Sequence, residues 1–273
     1  MPSFPDSPYP DGGKPIGSCR PSKHPESIRA RQSIFPGRGA FACLGAATTL
    51  SLMELLVGAL LERPPGPKYT SGLRFAELAL KAPLPKPGTL TKWRQQLPDG
   101  FELALRAPDE CWQSPQGPLR PSEELDAGLN WLSEAADALQ ASAIVVGTNA
   151  AVTTGARDRE RLGEYFARAP RAEGRVIVWK PAGLWEPETV QSMAVRLSVL
   201  GGFDALDDPV PDAEVVYASL LAEGVRRSFS HAQLLEVLHK LESSAAARAY
   251  VTIESAQSFR EARLLQALSE GRE

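Results

Sequence analysis

From residue 40 onward, short apolar runs alternate with stretches whose apolar positions recur every three or four residues. The runs Phe41–Leu44, Phe75–Leu80, Glu102–Arg106, Ala143–Val146, Val176–Trp179, Phe203–Leu206, Glu214–Ala218 and Tyr250–Ile253 predict strands. The helical spacing predicts helices over Leu52–Leu61, Thr89–Leu97, Ser122–Gln140, Asp158–Arg168, Pro187–Leu200, His231–Ser243 and Ser258–Leu268. The third helix is the clearest. Ser122 stands before Glu123 and Glu124 as a start signal, and Leu125, Leu129, Leu132, Ala135, Ala136 and Leu139 follow on one face. The sixth repeats the device, with Ser230 as N-cap and Leu234, Leu235, Leu238 and Leu241 behind it.

Eight strands, each followed by a helix except for a Pro-rich link after the sixth, imply parallel pairing through right-handed crossovers. The 234 residues of 40–273 suit an α/β fold of one kind above others, the closed eight-fold (β/α) TIM-type barrel of roughly 250 residues. An open doubly wound sheet is the alternative. No GxGxxG or GxxxxGK[ST] loop follows any strand, so dinucleotide and P-loop chemistry lack their signature and no cofactor is expected.

The run from Ala40 to Leu61 has the length of a membrane span. Glu54 in its interior and the Thr48-Thr49-Leu50-Ser51 interruption argue instead for a strand and a buried helix. An apolar core that begins only after residue 39 does not fit a signal peptide, so a cytoplasmic protein without a membrane contact is expected.

Residues 1–39 are different in kind. Eight prolines and five glycines make up a third of the segment, and no apolar period runs through it. Such composition cannot bury enough surface to offset its ordering entropy, which predicts a disordered tail ahead of a barrel domain over 40–273. The tail holds six basic and three acidic residues, which leaves 24 basic and 30 acidic residues in the body. A basic arm on an acidic body is a candidate contact for a protein partner.

The whole chain carries 30 Lys and Arg against 33 Asp and Glu, a balance that disfavours nucleic-acid binding. Three scattered cysteines (Cys19, Cys43, Cys111) form no disulfide framework and no CxxC pair. His24, His231 and His239 are too few and too dispersed for a metal site, and none is expected.

A barrel keeps its chemistry at the C-terminal ends of its strands. Those ends carry Glu77 and Lys81, then Arg106, Asn149, Lys180, Asp207 with Asp208, Ser219 and Glu254. A lysine, an arginine and several carboxylates around one mouth are a set that binds anions or moves protons. Glu77, Arg106, Lys180 and Asp207 are the leading candidates. Asp207-Asp208-Pro209 is also a turn signal.

Three segments carry a family resemblance: Phe75-Ala-Glu-Leu-Ala-Leu, Pro85-Lys-Pro-Gly-Thr-Leu-Thr-Lys-Trp93, and Pro98-Asp-Gly-Phe-Glu-Leu-Ala-Leu-Arg-Ala-Pro108. Together they resemble the YecE-like bacterial family, domain-of-unknown-function family 72. Val178-Trp-Lys-Pro-Ala-Gly-Leu-Trp185, Tyr217 and Tyr250-Val-Thr-Ile-Glu-Ser are similar to later motifs of the same family. The resemblance implies a (β/α)8 barrel over about 41–270. It also shows departures. The family's Asn, Thr and Tyr after the glutamate fall on Ala79, Lys81 and Pro83, its Glu falls on Val178, and its Arg residues fall on Lys180 and Ser219.

Replacing well-placed polar groups removes chemistry and leaves a fold intact. The expectation is therefore a degenerate barrel acting as a non-catalytic binding or regulatory protein, with a protein partner reached through the tail. The alternative is a hydrolase or lyase that uses Lys180, Arg106, Glu77 and Asp207 on an anionic, phosphate-bearing substrate.

Overall fold

Eight parallel strands close into a ring in the computed structural model, which describes residues 53–222, 224 and 227–271. The strands are β1 (Glu54–Leu61), β2 (Phe75–Ala79), β3 (Glu102–Arg106), β4 (Ala143–Thr148), β5 (Val176–Pro181), β6 in two halves (Leu200–Gly201 and Phe203–Asp204), β7 (Val215–Leu221) and β8 (Arg248–Glu254). Each neighbouring pair runs parallel, from Leu60 beside Glu77 to Leu221 beside Glu254. The halves of β6 on either side of Gly202 close the ring. Leu200 pairs with Val178 of β5, and Phe203 pairs with Ala218 of β7. The tail expected over 1–39 and the strand expected over Phe41–Leu44 lie outside the described residues.

The helices are α1 (Pro67–Thr70), α2 (Pro87–Gln95), α3 (Glu123–Leu139), α4 (Ala156–Arg168), α5 (Pro187–Leu197), α6 (His231–Glu242) and α7 (Ser258–Ser269). The sixth unit has no helix, as the Pro-rich link after it implied. Ser122 caps α3 through its hydroxyl, which accepts from Leu125 N at 3.1 Å, and Ser230 forms a full capping box with Gln233 on α6. On α6 the buried face holds Leu234, Val237, Leu238 and Leu241, while Leu235 is turned outward.

One expected element changes type. The helix read over Leu52–Leu61 is the first barrel strand over Glu54–Leu61. A parallel strand covered on both faces loses the alternation that marks a half-buried strand. Leu55, Leu56, Val57 and Ala59 are all buried, so the run has the same apolar density as a buried helix. The helix of this first unit is only the short turn α1.

The core has two compartments. The larger fills the space between the outer face of the sheet and the helices. The smaller lies inside the ring and comprises Leu56, Phe75, Ala104, Ala143, Val145, Val178, Tyr217 and Tyr250. Phe75 sits at its centre, with ring centroids 6.4 Å from Tyr217 and 5.2 Å from Tyr250. Room for Phe75 comes from Gly58, where a Cβ would lie 2.5 Å from the Phe75 carbonyl oxygen and 2.8 Å from its ring. Below this layer Arg248 joins Glu54 at 2.7 Å and Glu102 at 3.2 Å, and the Tyr250 hydroxyl donates to Glu102 at 2.8 Å. The N-terminal end of the ring is thereby closed by paired charges, and the open chemistry lies at the other end.

Candidate ligand site at the barrel mouth

Strand alternation sends every second residue into the ring. On β2 that places Glu77 one step above Phe75, and it is fully buried. A lone carboxylate there would be neutralised or expelled. Both its oxygens are held instead. Arg106 Nε donates to Oε1 at 2.6 Å, and the Tyr217 hydroxyl donates to Oε2 at 2.7 Å. Tyr217 also meets the Thr252 hydroxyl at 3.0 Å, and Arg106 reaches Glu254 at 3.3 Å. Burial alone would raise the Glu77 pKa; the Arg106 and Lys180 charges and the bonds from Tyr217 and Arg106 outweigh it and hold the carboxyl below its ordinary value. Tyr217 moves the other way, pushed well up by burial and by the Glu77 charge. The polar layer of the ring is thus a fixed network of Glu77, Arg106, Tyr217, Thr252 and Glu254.

Lys180, near the end of β5, is of another kind. It makes no hydrogen bond and no ion pair among the described residues, although it feels the charges of Glu77, Glu254 and Asp204. Burial, with help from Arg106, outweighs those carboxylates and lowers its pKa. Its stem passes Gly202, where a Cβ would come within 2.4 Å of Lys180 Cγ. Lys180 lines a cavity of about 290 Å³ between β5, β6, β7 and α5, with Trp185, Phe203, Asp204 and Ser219 among the other walls. Ser219 is 7% exposed, and its hydroxyl has no hydrogen-bond partner among the described residues. Hydroxyls buried without a protein partner are uncommon, and this one faces a cavity where water or a ligand can meet it.

The strand-end candidates therefore separate. Glu77, Arg106 and Glu254 are joined in the network, and Lys180 and Ser219 face the cavity beside it. Asp208 lines the cavity too, but its carboxylate accepts from Asp204 N at 2.8 Å. Asp207 is exposed and stands apart, at a surface cleft shared with His239 and Lys240. Asn149 is exposed and holds its own loop through Ala151 N at 3.0 Å. Lys81 is exposed beside Glu62. The set of strand-end candidates leaves out three contributors. Asp204 lies on β6 opposite Ser219, and its Oδ1 accepts from Leu206 N at 2.8 Å and Asp207 N at 3.2 Å. Thr252 and Tyr217 lie within their strands, in segments that carry the family resemblance, and their inward-facing register gives them their place in the network. Among the described residues no group of His, Cys, Asp and Glu is arranged to hold a metal ion, and no helix is long and apolar enough to cross a membrane.

A solved protein has the same barrel. A DUF72 family protein from Enterococcus faecalis V583 superimposes with a TM-score of 0.57 at 13% identity, covering 80% of this chain and 98% of that one. The fold is that of the DUF72 family. A second crystal structure of that protein gives a TM-score of 0.55 at 13% identity and covers 80% of this chain and 95% of its own. Endonuclease IV from Thermus thermophilus follows with a TM-score of 0.49 at 14% identity, covering 79% and 99% of the two chains. No family model matches the chain, and no curated protein matches its sequence. The barrel expected from the three sequence segments thus agrees with the DUF72 structures.

Proposed function

We propose that the protein is a divergent DUF72-like barrel that works by binding: it holds a small polar ligand in the mouth cavity and serves a regulatory role in the cytoplasm. The observation that carries this reading is the state of the polar groups. Glu77 is fully buried, and each of its oxygens accepts a hydrogen bond, from Arg106 and from Tyr217, which fixes it as part of the barrel's own network. The Ser219 hydroxyl is hydrogen-bonded to no base among the described residues, so it lacks the activation that a nucleophilic serine needs. Lys180 and Ser219 remain as groups built to meet a ligand. A protein partner, reached through the N-terminal arm, is the natural recipient of such a signal, and the arm's basic excess supports that choice.

The rival reading is a hydrolase or lyase acting on a phosphate-bearing substrate, and the unpaired Lys180 favours it. Glu77, Glu254 and Asp204 surround that cation with negative charge, which opposes a second anion.

Thermal denaturation of the full chain against a panel of inorganic phosphate, small carboxylates and small aldehydes separates the two. Binding at 100 times Kd adds about 2.7 kcal/mol to stability. We expect a rise in Tm with one class, lost in Ser219→Ala and Lys180→Met, and no turnover of p-nitrophenyl esters or phosphates. Turnover that Lys180→Met abolishes would establish the enzyme instead.

A further inference from the structure

We propose that Lys180 is an amine that captures the carbonyl carbon of an aldehyde or ketone ligand as an imine, with the Ser219 hydroxyl hydrogen-bonded to the carbonyl-derived oxygen on the way. This rests on the binding reading of the mouth and names the class of ligand.

Four observations converge on it. The Lys180 ammonium has neither a hydrogen-bond acceptor nor an ion-pair partner among the described residues, whereas Arg106 next to it is paired to Glu77 and Glu254. The stem of Lys180 is aimed into the cavity along Gly202, a position where any side chain would displace it. Ser219, 7% exposed, presents an unused hydroxyl to the same cavity. Trp185, Phe203 and Leu221 supply apolar walls. Burial favours the neutral amine over the ammonium and outweighs the nearby carboxylates, and only the neutral amine has a lone pair to give. The lowered pKa of Lys180 agrees with that geometry.

The chemistry balances without any oxidant or reductant. The Lys180 Nζ lone pair forms the C–N bond, and the carbonyl π pair moves to oxygen, which receives a proton from the nitrogen. Ser219 donates its hydrogen bond to this carbinolamine oxygen across the cavity that both residues line. The C–O bond then breaks, oxygen leaves as water with the second nitrogen proton, and the nitrogen lone pair completes the C=N bond. Hydrolysis runs the same steps backwards, so capture is reversible and the ligand is released unchanged.

The test is reductive trapping on the full chain at neutral pH, with glycolaldehyde as the carbonyl and cyanoborohydride as the reductant, followed by peptide mass mapping. The chain has eight lysines, which report on one another. We expect Lys180 to be labelled several-fold faster than exposed Lys68 and Lys92. We expect Ser219→Ala to slow Lys180 by about tenfold, the worth of a typical hydrogen bond, with Lys68 and Lys92 unchanged. Unchanged surface rates show that the variant has folded. Even labelling of all the lysines would overturn imine capture. If inorganic phosphate still raised Tm in a Lys180-dependent way, the binding reading would stand without it; if no probe shifted Tm, both would fall.

Discussion

The Tyr217 hydroxyl donates to Glu77 Oε2 at 2.7 Å across the inside of the barrel, joining residues 140 positions apart in the chain. With the Arg106 and Lys180 charges, this bond lets a fully buried carboxylate remain ionised, and it and the Arg106 contact engage both oxygens. Tyr217→Phe keeps the ring packing against Phe75 and leaves Oε2 with no donor. We expect a loss of about 1–3 kcal/mol, the cost of an unsatisfied buried acceptor, read by urea denaturation.

The pH dependence of stability follows from the same carboxylate. The pKa of Glu77 is lower folded than unfolded, so its contribution is fully present above the unfolded glutamate value of about 4.3. It is lost as pH falls below that value and through the lowered native one. Unfolding free energies of the wild type and Glu77→Gln, measured from pH 7 downward, should differ most at pH 7 and converge in acid. A constant difference across that range would refute the assignment.

Gly202 carries no side chain because Lys180 occupies the space. Gly202→Ala should leave the barrel folded by circular dichroism, since the Lys180 stem can swing aside. It should nevertheless abolish Lys180-dependent shifts in Tm, because the amine no longer points into the cavity.

Helix α3 rests directly on the turn at Asp109–Cys111. A Cβ at Gly128 would lie 2.1 Å from the Glu110 carbonyl oxygen, a backbone atom with no rotamer to yield. Gly128→Ala should therefore destabilise by about 1–3 kcal/mol despite the better helix propensity of alanine. A Tm equal to or above that of the wild type would show that α3 can move away.

Cys111 donates its thiol to the Gly128 carbonyl at 3.3 Å, and burial pushes its pKa up to about 12. In a chain with Cys19→Ser and Cys43→Ser, the remaining thiol should resist Ellman's reagent at pH 8 and react fully once urea unfolds the protein.

Much of this was legible in the sequence. Strand Glu102–Arg106 has the bounds that its residues imply, the caps Ser122 and Ser230 start α3 and α6, and the Pro-rich stretch after β6 replaces a helix. These features are local, set by period, capping and proline geometry within a few residues. Glu54–Leu61 was not legible, because two-sided burial erases the difference between a strand and a buried helix.

The site divides along the same line. That Arg106, Lys180 and Glu254 stand at strand ends follows from the sequence once the strands are placed, and the charged mouth follows with them; Glu77 and Ser219 lie deeper, within β2 and β7. Which of them pair was decided only by the closed ring. Closure brings Glu77 of β2 to Tyr217 of β7, aligns Asp204 with Ser219, and leaves Asp207 outside. The tertiary structure alone leaves the Lys180 and Ser219 side chains without partners among the described residues, since a free hydrogen-bonding group is defined by everything around it and not by its neighbours along the chain.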